Sequence, residues 1–164
     1  MSDRERFESH AFNLGKLLGN LQSIEMGARM VIVRLDQRAA EQVETQLPQV
    51  KAGDLVELNA FTNDDDLTQT LEKYNKRTPL DCRIDVGSIV RLRDALGHGR
   101  TFGFGSTKYL RLLKFRRKRG VDGKVAVELA EDMTNEWFSA NISMLSDALE
   151  RIRKVLDYKK RGFV

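Results

Sequence analysis

His98 can move protons near neutral pH, because an unperturbed imidazole titrates at about 6.5. It stands in the run Leu92-Arg93-Asp94-Ala95-Leu96-Gly97-His98-Gly99-Arg100. Arg93 offers a planar fork of N–H donors that matches phosphate oxygens two at a time. Asp94 is placed to orient either of them. An acid/base group, an anion clamp and an orienting carboxylate are the parts that RNA transesterification needs. A proton leaves the 2′-hydroxyl, a proton reaches the departing 5′-oxygen, and charge on phosphorus is stabilised. The products would be a 2′,3′-cyclic phosphate and a 5′-hydroxyl, with no metal required. A plainer reading competes with this one. A histidine just past a helix end caps carbonyls, and Arg93 pairs with Asp94, Asp85 or Glu25.

Other chemistries find less support. His10 has no evident partner along the chain and reads as structural or exposed. The single Cys82 can form no internal disulfide. With no cysteine cluster and no histidine pair at ligand spacing, no metal and no cofactor are expected, though a carboxylate magnesium site stays open. The Gly103-Phe104-Gly105 stretch is too short for a nucleotide fingerprint. No Gly-x-Ser-x-Gly supports a serine nucleophile.

Charge adds a partner class. Residues 1–82 carry 10 basic and 14 acidic side chains, whereas residues 83–164 carry 18 basic and 10 acidic. Seven of the twelve residues from Lys108 to Arg119 are basic. Such density is the footprint of a polyanion, through phosphate neutralisation and counterion release. Arg100, Lys108, Lys114, Arg116, Arg117 and Arg119 are therefore the candidate RNA-binding residues. A second basic group lies near the end, in Arg151, Arg153, Lys154, Lys159, Lys160 and Arg161. Basic hairpin tips and helix C-termini are also common as solvated features.

These residues need a scaffold. At 164 residues one domain of ordinary size is expected, over 1–164. No stretch has the ~18 apolar residues a membrane span needs, and the charged N-terminus is not followed by a signal core, so a cytoplasmic protein is expected. Phe7, Ala11, Leu14, Leu18, Leu21, Ala28, Ile32, Leu35 and Ala39 alternate steps of three and four, with Glu25 on the seam. They predict one long helix over about 4–45, with a kink near Gly15–Asn20 or Gly27. Glu25 reads either as a buried carboxylate facing a basic group or as a boundary residue paired with an arginine. A connector follows, with a short extended piece at Leu55–Leu58 at most. Asn63 to Asp66 supply N-caps for a helix carrying Leu67, Leu71 and Tyr74. Asp85 caps a third helix that buries Val86, Ile89, Leu92 and Leu96 and ends at Gly97 and Gly99. Residues 101–106 read as a flexible linker. Tyr109–Arg116 and Lys124–Glu131 read as a basic β-hairpin. Thr134 caps a last helix with the stripe Phe138, Ile142, Leu145, Leu149, Ile152 and Leu156. The fold class is mainly α: a bundle of four to five helices with a small hairpin (about 108–131) inserted before the C-terminal helix.

Arg93-Asp94-x-x-x-His98-Gly99 resembles the Arg-x(4–6)-His motif of the HEPN superfamily, in which a polar residue commonly follows the arginine. The helical layout around this motif agrees. The basic hairpin departs from the minimal family bundle. The resemblance implies a metal-independent endoribonuclease in which Arg93, His98 and Asp94 are the catalytic residues. It implies a homodimer in which two motifs meet in one cleft, and a toxin or phage-defence role with an antitoxin partner. Some family members are inactive and bind only nucleotides, nucleic acid or proteins, which is the alternative reading. A basic helical DNA-binding protein is a third, disfavoured by the absence of a clear helix-turn-helix pair.

Overall fold

The computed structural model describes residues 3–35, 37–103, 108–116 and 123–160. Among them are five α-helices: α1 (Asp3–Val33), α2 (Gln37–Gln46), α3 (Leu67–Lys76), α4 (Val86–His98) and α5 (Asn135–Lys160). Three strands, β1 (Arg100–Phe102), β2 (Arg111–Phe115) and β3 (Val127–Asp132), form one antiparallel sheet in that order. The chain is thus mainly helical with a small sheet. No helix among the described residues is long and apolar enough to cross a membrane. The chain divides into two compact units: 1–21 with 87–145, and 22–86 with 146–164.

The long N-terminal helix does break, but not at its glycines. Gly15, Gly19 and Gly27 all lie inside α1. The break follows the β-branched run Val31-Ile32-Val33, where Leu35 N–H bonds the Ile32 carbonyl at 3.2 Å instead of one four residues back. β-branched side chains are stiff in a helix, and a bond of this shorter span tightens and ends the ladder. Gly27 serves packing rather than bending. A Cβ built there would lie 2.8 Å from Ile152 Cγ2.

The buried seam of α1 is also turned by about one residue from the expected one. Leu17, Leu21, Ile24, Ala28 and Val31 are buried, whereas Phe7, Leu18 and Leu35 are exposed. Alternating steps of three and four fit both series, so spacing alone did not separate them.

In the unit of residues 22–86 and 146–164, this shift moves Glu25 to the rim of the core. Its carboxylate accepts from Arg29 Nη2 at 3.1 Å, the boundary pairing that was one of its two readings. Arg29 itself was not marked by the sequence. Its guanidinium donates to the carbonyls of Ala60 (3.1 Å) and Asp65 (2.6 Å) and to Asn63 Oδ1 (2.7 Å). One side chain, 11% exposed, thereby holds the loop that leads into α3. Arg29→Met keeps the apolar stem but strands these acceptors. It is expected to lower unfolding free energy by about 2–4 kcal/mol, read by urea denaturation.

The α3 start is as expected: Asp66 caps it, and Gln69 closes a reciprocal capping box. Leu67, Leu71 and Tyr74 are buried, and the Tyr74 hydroxyl donates to the Cys82 carbonyl at 3.0 Å. Leu55–Leu58 forms no strand, and Leu55 and Leu58 lie exposed. Cys82 is buried, and burial pushes its thiol above the usual range. Its labelling by a disulfide reagent at pH 8 should therefore be slow in the native protein and rapid in urea, because only the thiolate attacks.

In the other unit, Ile89, Leu92 and Ala95 of α4 are buried together with Leu112, Met133, Phe138 and Leu145. Thr134 caps α5 as expected, accepting from Trp137 N–H at 3.1 Å. His10 is not partnerless. Its ring nitrogens meet the carbonyls of Arg6 (2.9 Å) and Met133 (3.1 Å), and its ring stands edge-on to Phe138 at 5.6 Å. These contacts give it a structural role that local sequence did not reveal, since Met133 is remote in the chain.

Candidate nucleic-acid interface

The sheet differs from the expected hairpin by one strand. Arg100–Phe102 falls partly on the segment read as a linker, and it pairs with β2 in the register Arg100↔Leu113, Thr101↔Leu112, Phe102↔Arg111. A strand of three residues is too short to show alternation, so the pattern could not announce it. What permits it is Gly99. A Cβ at this position would collide with the Ala95 carbonyl oxygen and approach Leu112 Cδ1 to 2.7 Å. Only glycine lets the backbone pass directly from α4 into β1 at such close range.

α4 continues to His98, one residue past the expected stop at Gly97, and Gly99 N–H still bonds the Ala95 carbonyl at 2.8 Å. His98 is therefore the last residue of the helix rather than the first beyond it. At 100° per residue, Arg93 and His98 project about 140° apart around α4. The side chain of His98 is exposed and has no hydrogen-bond or ion-pair partner among the described residues.

Arg93 and Asp94 instead join a chain of charges. Arg93 Nη1 lies 3.3 Å from Asp94 Oδ1, and Lys114 Nζ lies 3.7 Å from Asp94 Oδ2. Lys114 also reaches Glu128 at 3.2 Å, and Arg116 approaches the same carboxylate at 3.9 Å. Glu128 can serve both because it sits in a bulge: Lys114 pairs with Leu129 but Phe115 with Val127. The extra residue bends the strand and redirects its side chain. Lys114 is thus held between two carboxylates at 23% side-chain exposure, whereas Arg116 remains largely free to solvent at 68%.

Arg100 is exposed at the start of β1, with its guanidinium 5.5 Å from the centroid of the Phe115 ring. Lys108 is exposed and lies 5.1 Å from the Tyr109 ring; its hydrogen bond with Tyr109 raises its ammonium above the usual range. Arg117 and Arg119 lie outside the described residues, as does Arg161 of the C-terminal group. No family model, curated protein or solved structure matches this chain. The interface must accordingly be read from its own chemistry. Among the described residues, no group of three or more histidine, cysteine or acidic side chains is arranged to hold a metal ion. A shallow groove lined by Asn13, Asn135, Phe138, Ser139, Ile142 and Ser143 contains no titratable side chain.

Proposed function

We propose that the protein is a HEPN-like, metal-independent endoribonuclease. In this reading Arg93 contacts the scissile phosphate, His98 transfers the proton, and Asp94 orients Arg93. The observation that carries it is an exposed imidazole, unpartnered among the described residues, at the end of α4 and two residues before the exposed Arg100 of β1. A histidine kept for capping or packing would be expected to hold a partner. This one leaves both ring nitrogens available for substrate.

The divergence of Arg93 and His98 around α4 favours a site completed by a second copy. In a symmetric dimer, Arg93 of one protomer and His98 of the other can face one phosphate. The N-terminal half of α1 offers apolar side chains for such pairing, since Phe7 and Leu18 are both exposed and lie within about 20° of each other around the helix. Sedimentation at working concentrations should then give a species of twice 18.8 kDa. A monomer alone would argue against the shared cleft. A toxin or phage-defence role, with an antitoxin as partner, is the setting that the family resemblance suggests for this activity.

The ion pair between Arg93 and Asp94 supports a second reading, a non-catalytic HEPN-like module that binds nucleotides, nucleic acid or protein. The test separates them. The purified protein is incubated with single-stranded and structured RNA in excess EDTA, and the ends are mapped. Cleavage by the wild type but not by His98→Ala supports the nuclease. Binding without cleavage in both supports the module.

A further inference from the structure

Lys114 belongs to the basic run in sequence, but in the fold it faces inward. It lies two residues from the fully buried Leu112 on β2, so both side chains stand on the same face of the sheet. That face is turned to α4, because the Lys114 ammonium is 3.7 Å from Asp94 Oδ2. Its other neighbour is Glu128 Oε2 at 3.2 Å, brought there by the bulge in β3. An ammonium already set between two carboxylates is poorly placed to take a phosphate. Arg93 differs. Its side chain is 52% exposed, and only Nη1 is engaged, 3.3 Å from Asp94 Oδ1. The edge formed by Nε and Nη2, which can grip two phosphate oxygens at once, has no partner among the described residues.

This partial engagement needs a cause. Arginine and carboxylate favour fork-to-fork pairing, in which both oxygens meet two nitrogens of one guanidinium. Here the two oxygens of Asp94 are divided, Oδ1 to Arg93 and Oδ2 to Lys114. The lysine thereby holds the carboxylate where it touches Arg93 with one oxygen only. Charge acts in the same direction. Arg93 and Asp94 alone sum to zero, which makes a poor clamp for phosphate. Lys114 offsets the charge that Asp94 removes, and the open edge of Arg93 stays attractive to an anion.

We propose that Lys114 is a positioning residue: it holds Asp94 by one oxygen and so keeps the Nε–Nη2 edge of Arg93 free for a phosphate of RNA. The inference rests on the reading of Arg93 as the phosphate contact. It moves Lys114 from the RNA-binding group to the support of the site.

The test is a double-mutant cycle on the full chain. RNA cleavage in EDTA gives kcat and KM, and fluorescence anisotropy in the His98→Ala background gives RNA affinity without cleavage. Lys114→Met keeps the aliphatic stem and releases Asp94 Oδ2 to Arg93. It should lower both kcat and affinity by about 2- to 10-fold, a coupling of the size found within one salt-bridge network. Lys114→Arg should restore most of that loss. Asp94→Asn removes the charge that Lys114 offsets, so in that background Lys114→Met should change either quantity by less than about twofold. A direct lysine–phosphate contact predicts the same loss in both backgrounds, and a sheet that merely unfolds predicts no rescue by Asp94→Asn. Either result would overturn the proposal, as would an unchanged Lys114→Met. If wild type cleaves RNA and the cycle shows no coupling, the nuclease reading stands and the positioning role falls. If wild type binds RNA without cleaving it and the coupling is present in the affinity, the nuclease reading falls and the positioning role stands. The Arg93 Nε–H resonance of isotope-labelled protein repeats the cycle without RNA. Lys114→Met should shift it, and the shift should vanish in the Asp94→Asn background. No shift would overturn the positioning role even where RNA is cleaved. A wild type that neither cleaves nor binds RNA overturns the task given to the Arg93 edge, whatever the resonance shows.

Discussion

Replacing His98 with alanine is expected to lower RNA cleavage by about 10²- to 10⁴-fold, the usual contribution of a positioned proton-transfer group. RNA affinity and melting temperature should stay close to wild type, because the side chain is exposed and has no protein partner among the described residues. That combination distinguishes a chemical role from a structural one. Arg93→Ala should also remove activity, with loss of the Asp94 ion pair at 3.3 Å. The stability change there should be small, as it is for most exposed pairs. The two variants together probe the shared cleft. If each site takes Arg93 from one protomer and His98 from the other, mixed dimers of Arg93→Ala with His98→Ala retain one intact site. An equimolar mixture should then recover about a quarter of wild-type activity, since half the dimers are mixed and each has one good site. No recovery after subunit exchange would place both residues of a site on the same chain.

Gly99→Val is expected to be the most damaging single substitution for stability near the interface. A side chain at this position has no room, with the Ala95 carbonyl oxygen, Leu112 Cδ1 at 2.7 Å and the Leu113 carbonyl at 3.1 Å all in its path. Two of these neighbours are backbone and cannot turn away. Overpacking of this type costs about 1–3 kcal/mol when side chains can adjust, and a backbone collision should reach the top of that range or exceed it. The expected readout is a melting temperature lowered by several degrees, with hydrogen exchange accelerated in β1 and β2. Gly97→Ala is the control. Nothing lies within 4 Å of a Cβ at Gly97, and alanine favours the helix interior, so stability should hold or rise by about 1 kcal/mol. Equal effects from the two substitutions would contradict the close α4–β1 passage.

Different parts of this architecture were legible in the sequence to different degrees. The α3 and α5 starts were readable because their caps are local: Asp66 and Thr134 accept from backbone N–H groups three residues on. Strands β2 and β3 were readable because Leu110 and Leu112, and Val125, Val127 and Leu129, recur at every second position. The strand β1 was not, because three residues carry no period and its cause is the missing Cβ of Gly99 against a strand not yet reached. The seam of α1 was misplaced by about one residue because two apolar series overlap in Leu21, Ala28 and Ile32, and only packing selects between them. Long-range polar contacts were invisible for the same reason. Neither the carbonyls that meet His10 nor the loop acceptors around Arg29 are marked by any spacing.

The candidate site was visible as residue types but not as geometry. Arg93, Asp94 and His98 are conspicuous in the sequence. Their separation around α4 depended on whether the helix stopped at Gly97 or reached His98. The basic run likewise did not show which cations were already occupied. The bulge at Glu128 engages Lys114 and approaches Arg116, while the Arg100 guanidinium lies 5.5 Å from the centroid of the Phe115 ring.

The most direct test of the central claim is end mapping of RNA treated with the purified protein in excess EDTA. The account predicts fragments ending in 2′,3′-cyclic phosphate and 5′-hydroxyl from the wild type, and none above background from His98→Ala. Cleavage that EDTA abolishes, or that leaves 5′-phosphate ends, or that His98→Ala performs equally well, would contradict it.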